Sequence, residues 1–109
     1  MTSKLTLVVA LYVHEGREAQ FEQFEAAAAE IMLRYGGTIE RRIGCATQAG
    51  EDGPHEIHVV TFPDEAAFEQ YSGDADLNAL AELRSSAIRE TTVWRGTDLP
   101  AFVSSPLSS

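Results

Sequence analysis

Residues 21–45, FEQFEAAAAEIMLRYGGTIERRIGC, contain a helix, a stop signal and a strand in immediate succession. At 100° per residue the apolar side chains of the first part fall on one arc, which predicts an amphipathic helix. Gly36–Gly37 supplies the left-handed stop that commonly ends a helix. Thr38 to Cys45 then has the composition of an edge or half-solvated strand. The helix arc consists of Phe21, Phe24, Ala27, Ala28, Ile31, Met32 and Tyr35, and we expect Glu18, Glu22 and Glu25 to form its solvated flank.

Strands are predicted on both sides of this segment. Leu5 to Val13 is apolar at odd and even positions alike, which indicates a central strand covered on both faces. His55 to Phe62 has the same character and ends at Pro63. Asp64 and Asp74 are predicted N-caps of two helical pieces, the second reaching about Ile88. Thr91 to Arg95 reads as the last strand.

The predicted order is strand, helix, strand, strand, helix, strand, which is the α+β, ferredoxin-like βαββαβ arrangement. It places strands one and three in the centre of an antiparallel sheet, with both helices on one face. We expect one domain over residues 1–96, followed by a Ser- and Pro-rich arm over 97–109.

The charge balance excludes several partners. Seventeen Asp and Glu against eight Lys and Arg give a net charge of −9, which argues against nucleic acid and against an anionic membrane surface. Eight of the acidic residues, and no basic ones, lie in residues 51–76, so the acidity is confined to one flank. The single Cys forms no internal disulfide, and with no targeting or spanning segment we expect a cytoplasmic protein.

The sheet face without helices would expose a large apolar patch in a monomer. We expect a second copy of the chain to cover it, giving a symmetric homodimer. The competing interpretation is that the arm covers the same face with its own apolar residues, which are Leu99, Phe102, Val103 and Leu107.

Three motifs then resemble a known family. RYGGTIERRI (34–43), IHVVTFPDEAAFEQY (57–71) and LNALAELRSSAI (77–88) are similar to the DUF1330 family of dimeric α+β barrel proteins. The resemblance covers roughly Leu5 to Gly96, and it departs from the family pattern at 72–74 and in the acidic loop before the third strand. It implies kinship with antibiotic-biosynthesis monooxygenases and EthD-like proteins, some of which transform aromatic substrates in a cavity without metals or prosthetic groups.

His58 and Tyr12 are the candidate acid–base residues. His58 lies inside an apolar strand, and a His beside aromatic groups in a water-poor cavity is able to act as a general base on an acidic C–H or a phenol. Tyr12 and Trp94 occupy comparable interior positions in the pattern. The alternative for His58 is a core residue whose ring nitrogens are satisfied by the backbone or by water.

Arg84, Trp94 and Tyr71 are the candidate ligand-binding residues. Arg84 falls within the apolar arc of the last helix, where a guanidinium needs an anion or carbonyl partner. It either anchors an oxyanion of a ligand or forms an internal ion pair, with Glu40 or Glu56 as candidate partners, or extends its charge to solvent.

A metal site is not expected. His14, Cys45 and His55 are predicted at one rim of the sheet, with Arg89 nearby, but polar residues at strand ends are commonplace in loops. We therefore predict no metal and no cofactor.

The sequence thus predicts a homodimer that binds a small organic molecule, with a cofactor-independent monooxygenase or cyclase/isomerase as the reaction class that the resemblance implies. The alternative is a non-catalytic binding or dimerisation module. The catalytic interpretation requires a cavity of at least roughly 300 Å³ bordered by His58, Trp94 or Arg84.

Overall fold

Four strands and four helices make up the computed structural model, which describes residues 4–46 and 52–102. Their order confirms the predicted βαββαβ arrangement, except that the second helical region is divided into three short helices. The bounds are β1 Leu5–Val13, α1 Glu18–Leu33, β2 Thr38–Gly44, β3 Glu56–Phe62, α2 Glu65–Ser72, α3 Ala75–Asn78, α4 Ala81–Ala87 and β4 Ile88–Gly96.

The sheet has the strand order β2-β3-β1-β4, with every neighbouring pair antiparallel. The prediction that strands one and three are central is confirmed, as is the edge position of β2. In the register of β1 and β3, Leu7 lies opposite Val60 and Val9 lies opposite His58. These pairs share a face, so the odd-numbered residues of β1 lie on the same side as the even-numbered residues of β3.

The helices cover that side. In one cluster Leu11 packs with Phe21, Phe24 and Ala28 of α1 and with Ile88. In a second cluster Leu7 packs with Met32, Val60 and Phe62. Burial of these side chains against α1 is the main stabilising contribution, at about 25 cal/mol per Å² of apolar surface. The predicted helix arc is confirmed in its buried members, which are Phe21, Phe24, Ala28, Ile31 and Met32.

The turn from α1 into β2 explains the Gly–Gly pair. Gly36 has a φ of +74°, a left-handed conformation that favours glycine, and its amide donates to the carbonyl of Leu33. Gly37 needs its small size for another reason, because an added Cβ would lie 2.4 Å from Met32 Cγ and 2.4 Å from Phe62 Cε1. The pair therefore stops the helix and lets β2 pass close to the core.

Both predicted N-caps are present. The Asp64 carboxylate accepts from the Ala67 amide at 2.8 Å, and the Asp74 carboxylate accepts from the amides of Asp76 and Leu77 at 2.8 and 3.2 Å. Asp74 is also bound by the Tyr35 hydroxyl and by Arg34, so the start of α3 is tied to the end of α1. β4 begins at Ile88 directly after α4, three residues earlier than the sequence predicted.

None of the described helices lies on the opposite face of the sheet. This face presents Val8, Tyr12, Ile43, Ile57, Val59 and Trp94, which we call the open face. The described part of the arm, residues 97–102, leaves Leu99 and Phe102 exposed, and Val103 and Leu107 lie outside the described residues. Of the helices in the described ranges, none has the length and hydropathy needed to cross a membrane.

Candidate functional site

A cavity of about 350 Å³ lies between the sheet and the helices. Its volume exceeds the roughly 300 Å³ required for a small-molecule site. Apolar residues of β1, β3 and α1 form most of the wall, among them Leu7, Val9, Phe24, Met32 and Val60. Four ionisable side chains also border it, namely Glu25, His58, Tyr71 and Arg84.

His58 is the buried polar residue at the centre of this site. It lies on β3 opposite Val9, and only 2% of its surface is exposed. Nε2 contacts the carboxylate of Glu56, and Nδ1 lies 3.8 Å from Oε2 of Glu25. The imidazole is therefore held between two carboxylates, one on its own strand and one on α1. The interpretation of His58 as a core residue satisfied by backbone or water does not describe these contacts.

Glu56 is held in its ionised form by the groups around it. Arg42 on β2 donates to Glu56 from Nε at 3.1 Å and from Nη2 at 2.9 Å, and the same Nη2 donates to Glu22 at 2.6 Å. Burial by itself raises the pKa of Glu56, but the hydrogen bonds from Arg42 and His58 outweigh it, and the pKa is lowered. Because an ionised carboxylate only accepts hydrogen bonds, the Nε2 atom of His58 must be the donor.

Glu25 was predicted to lie on a solvated helix flank, and this prediction is wrong. Its side chain is 13% exposed and borders the cavity. Burial raises the pKa of Glu25 to about 7, and the negative charge of Glu56 adds to the effect. The sequence does contain a signal for this position, because Glu25 lies four residues after Phe21 and three before Ala28, both buried on the same side of α1.

Arg84 lies at the cavity, and no ion pair joins it to another of the described residues. It is exposed on α4, and its Nη2 donates to Thr91 Oγ1 at 2.8 Å. The two carboxylates considered as its partners are engaged elsewhere, since Glu40 binds Lys4 and Thr61 while Glu56 binds Arg42 and His58. The position of Arg84 within the apolar arc of the sequence suggested a buried guanidinium. In the structure α4 leaves this guanidinium exposed.

Tyr71 closes the side of the cavity formed by α2. Its ring packs against Phe62 at 5.4 Å and against Tyr35 at 6.5 Å between centroids. Burial and the nearby charge of Glu25 raise the pKa of Tyr71 to about 12, which keeps the hydroxyl protonated at neutral pH. It is consequently a hydrogen-bond donor toward whatever enters the cavity.

Tyr12 and Trp94 do not border this cavity, which corrects their predicted grouping with His58. Tyr12 and Val8, which pairs with Trp94, are even-numbered residues of β1 and lie on the open face. Trp94 is 53% exposed, and the Tyr12 ring is covered by the guanidinium of Arg89 at 5.0 Å. The alternation of β-strands separates them from His58, whose partner Val9 belongs to the opposite set.

Of the four rim residues, Cys45 and His55 meet through their backbones, while the His14 amide donates to the Ala87 carbonyl. The Cys45 amide donates to the His55 carbonyl at 3.0 Å, and the His55 amide donates to Leu11. The ring of His55 packs edge-on against Phe21, and Arg89 binds Asp52. Over residues 4–46 and 52–102 no three His, Cys, Asp or Glu side chains are arranged to hold a metal ion.

Several solved structures share this fold. A protein of unknown function from Rhodopseudomonas palustris matches with a TM-score of 0.76 at 11% identity, over 93% of this chain and 86% of its own. SnoaB, a cofactor-independent oxygenase from Streptomyces nogalater, matches with a TM-score of 0.67 at 18% identity, over 92% and 97%. A dabb family protein with a ferredoxin-like fold from Mesorhizobium loti matches at 0.62 and 17% identity, over 89% and 98%. At these identities the likeness establishes the fold alone.

The sequence comparisons are consistent with that fold. No curated protein shows significant sequence similarity to this chain. A family model, described as a domain of unknown function, matches residues 7–96 and therefore spans β1 to β4. The chain belongs to the DUF1330 family.

Proposed function

We propose that this protein binds a small organic molecule in the cavity between helices and sheet and acts on it without a cofactor, as a monooxygenase or a cyclase/isomerase. The observation that carries this proposal is the buried imidazole of His58, which borders an apolar cavity of about 350 Å³ while Glu56 holds its far nitrogen. The fold similarity to a cofactor-independent oxygenase is consistent with it.

His58 serves as the general base in this proposal. With Nε2 donating to Glu56, the lone pair of a neutral ring lies on Nδ1, the nitrogen nearer to Glu25. An adjacent carboxylate fixes the tautomer and stabilises the imidazolium that forms when the ring takes up a proton. A positioned base of this kind contributes about 10²- to 10⁴-fold to a rate.

Arg84 and Tyr71 serve to bind the substrate. In the described part of the chain no carboxylate lies within salt-bridge distance of Arg84, so its charge is available to an anionic group of a ligand. Tyr71 offers a hydroxyl donor on the wall formed by α2. An apolar molecule with one carboxylate or phenolate matches this combination of groups.

The second candidate is a non-catalytic dimerisation or binding module, and the observation that favours it is the open face. Trp94 and Ile43 are exposed there, and Val8, Ile57 and Val59 extend the apolar surface between them. We propose that a second copy covers this face in a homodimer, as the resemblance to dimeric α+β barrels implies. We also place the protein in the cytoplasm, since a single Cys suits a reducing compartment.

A thermal-shift screen against aromatic acids, phenols and quinones tests the binding site, because a ligand that binds only the folded state raises its stability. The expected result is stabilisation by anionic aromatic compounds, reduced in Arg84→Ala. Turnover of the stabilising compounds, followed as oxygen consumption or as product by mass spectrometry, separates an enzyme from a binding module. Stabilisation that is unaffected by Arg84→Ala and His58→Gln would contradict the proposed site.

A further inference from the structure

One imidazole lies between two carboxylates at the cavity, and the His58 and Glu25 members of this cluster line it. Glu56 and Glu25 are both largely buried, with 9% and 13% of their side chains exposed, and they approach opposite nitrogens of His58. Glu56 has Arg42 as a second partner. Within the described residues, Glu25 has no Arg or Lys at salt-bridge distance. Burial disfavours the ionised form of both carboxylates, and the guanidinium of Arg42 contacts Glu56, so Glu56 is favoured as the ionised group and Glu25 as the protonated one.

Of the two carboxyl groups, Glu25 is the one whose pKa is raised, because burial disfavours its ionised form. Burial has the largest effect on this pKa, and the negative charges of Glu56 on β3 and Glu22 on α1 raise it further. The guanidinium groups of Arg42 on β2 and Arg84 on α4 lower it. His58 on β3 and Tyr71 on α2 also face it. The resulting pKa of about 7 leaves a large fraction of Glu25 as a proton donor at neutral pH.

We propose that Glu25 and His58 are a catalytic proton-transfer pair that interconverts the keto and enol forms of an organic acid bound at Arg84. This inference rests on the proposed function, and it selects the isomerase class over the oxygenase class. Glu25 is the added catalytic residue, because both it and His58 border the space in which a substrate would lie.

The reaction balances without a cofactor. His58 Nδ1 removes a proton from the carbon next to the substrate carbonyl, and the C–H electron pair forms a C=C bond. The carbonyl π pair moves to oxygen, which takes the proton from Glu25. An imidazolium and a carboxylate then face one another, with Nδ1 and Oε2 separated by 3.8 Å in the resting structure. Transfer of the proton from His58 back to Glu25 restores the starting state.

The cavity restricts the substrate class. Most of its wall is apolar, with Ser72, Asn78 and Thr91 as neutral polar members beside the acid–base groups and Arg84. We therefore expect a substrate that combines an apolar substituent with one anionic group. The chemistry of the pair requires a carbonyl with a neighbouring C–H. A 2-oxo acid with an aromatic or branched side chain meets all three requirements, and phenylpyruvate is a suitable probe.

The first test measures Glu25 directly and needs no substrate. Carbon-13 NMR of glutamate-labelled protein, assigned with Glu25→Gln, follows the carboxyl signal against pH. The expected midpoint lies near pH 7, well above the ordinary glutamate pKa of 4.5. A midpoint near 4.5 would overturn the inference, because an ionised Glu25 has no proton to donate.

The second test measures proton exchange at C3 of phenylpyruvate in D₂O, by proton NMR and above the buffer rate. The wild type is expected to accelerate this exchange. In Glu25→Gln the exchange should be about 100-fold slower than in the wild type, while phenylpyruvate should still raise the melting temperature of this variant. Glu30→Gln, an exposed change on the same helix, is the matched control and should exchange like the wild type.

The two proposals fail in different ways. Equal exchange rates in the wild type and Glu25→Gln would overturn the role of Glu25. Binding of phenylpyruvate with no exchange above the buffer rate would overturn the isomerase assignment and leave the small-molecule site supported. Failure of phenylpyruvate and of every screened aromatic acid to stabilise the protein would contradict the proposed function itself.

Discussion

The Nε2 atom of His58 is hydrogen-bonded to the carboxylate of Glu56, two positions earlier on the same strand. Residues separated by two positions on a strand lie on the same face, so β3 delivers both groups to the helix-covered side. The contact assigns the ring proton to Nε2 and the lone pair to Nδ1. The three-residue segment Glu56–Ile57–His58 therefore determines which ring nitrogen of His58 is able to accept a proton.

Replacing Glu56 with Gln should weaken this orientation. The change removes the charge that stabilises the imidazolium and a charge-assisted bond to Arg42, so we expect at least 10-fold slower turnover and a loss of about 2 kcal/mol in the free energy of unfolding. Proton exchange at C3 of phenylpyruvate measures the turnover, urea unfolding measures the stability, and nitrogen-15 NMR of the His58 ring reports which nitrogen carries the proton. Glu40→Gln, on the exposed edge strand, is the control and should cost no more than about 0.5 kcal/mol. A wild-type ring with the proton on Nδ1 would contradict the assignment.

The raised pKa of Glu25 predicts a pH dependence of stability. Between pH 4.5 and about 7 the folded state retains a proton that the unfolded state has lost, so its stability relative to Glu25→Gln falls as the pH rises. A pKa shift of this size lowers the free energy of unfolding, relative to that of Glu25→Gln, by about 3 kcal/mol across that window. Above pH 7 the difference between the two proteins stays constant. Urea unfolding of the two proteins at a series of pH values measures the difference. A difference that is independent of pH would contradict the shift.

Arg84 should determine the affinity for anionic ligands. Arg84→Ala removes the one guanidinium that borders the cavity among the described residues, and we expect at least a 10-fold higher Kd for an aromatic acid with little change in overall stability. Arg84→Lys should recover only part of the affinity, because an ammonium does not form the bidentate contact. Isothermal titration measures the Kd, and Arg41→Ala on the other face of the sheet is the control. Equal Kd values for all four proteins would exclude Arg84 from binding.

Gly37 should tolerate no side chain. Its Cβ in Gly37→Ala would lie 2.4 Å from atoms of Met32 and Phe62, and overpacking of this kind costs about 1–3 kcal/mol. Gly44→Ala is the matched control, because a Cβ there has no atom within 4 Å. Chemical denaturation of both variants gives the comparison. Similar stabilities for the two would mean that the close approach of β2 to the core is not needed.

The open face should mediate self-association. Trp94→Glu places a charge on this face and is expected to turn a dimer into a folded monomer, as measured by light scattering with circular dichroism to check the fold. Leu33→Glu is the control, because Leu33 is 65% exposed on α1, outside the open face. A monomeric wild type at micromolar concentration, or a dimer that persists in Trp94→Glu, would contradict the proposed interface.

The location of Glu25 shows which features of α1 the apolar spacing predicts and which it leaves open. The spacing of apolar residues predicted α1 and its buried arc, since both follow from the 3.6-residue period. Glu25 lies at the margin of that arc, where a rotation of a few tens of degrees decides between solvent and cavity. The spacing from Phe21 and Ala28 indicates that Glu25 lies beside the buried side of α1, and the packing of α1 against β1 sets the rotation that brings it to the cavity.

The order of the elements, the Gly36–Gly37 turn, the two Asp caps and the central strands follow from the sequence alone, because each depends on neighbouring residues and on hydrophobic period. Which side chains share the cavity depends instead on the register between strands that are distant in the chain. The pairing of Val9 with His58 places His58 on the helix side with Glu25 and Arg84, while Tyr12 and Trp94 lie on the open face. Only the tertiary structure decides this division, because a shift of one residue in register would exchange the two faces.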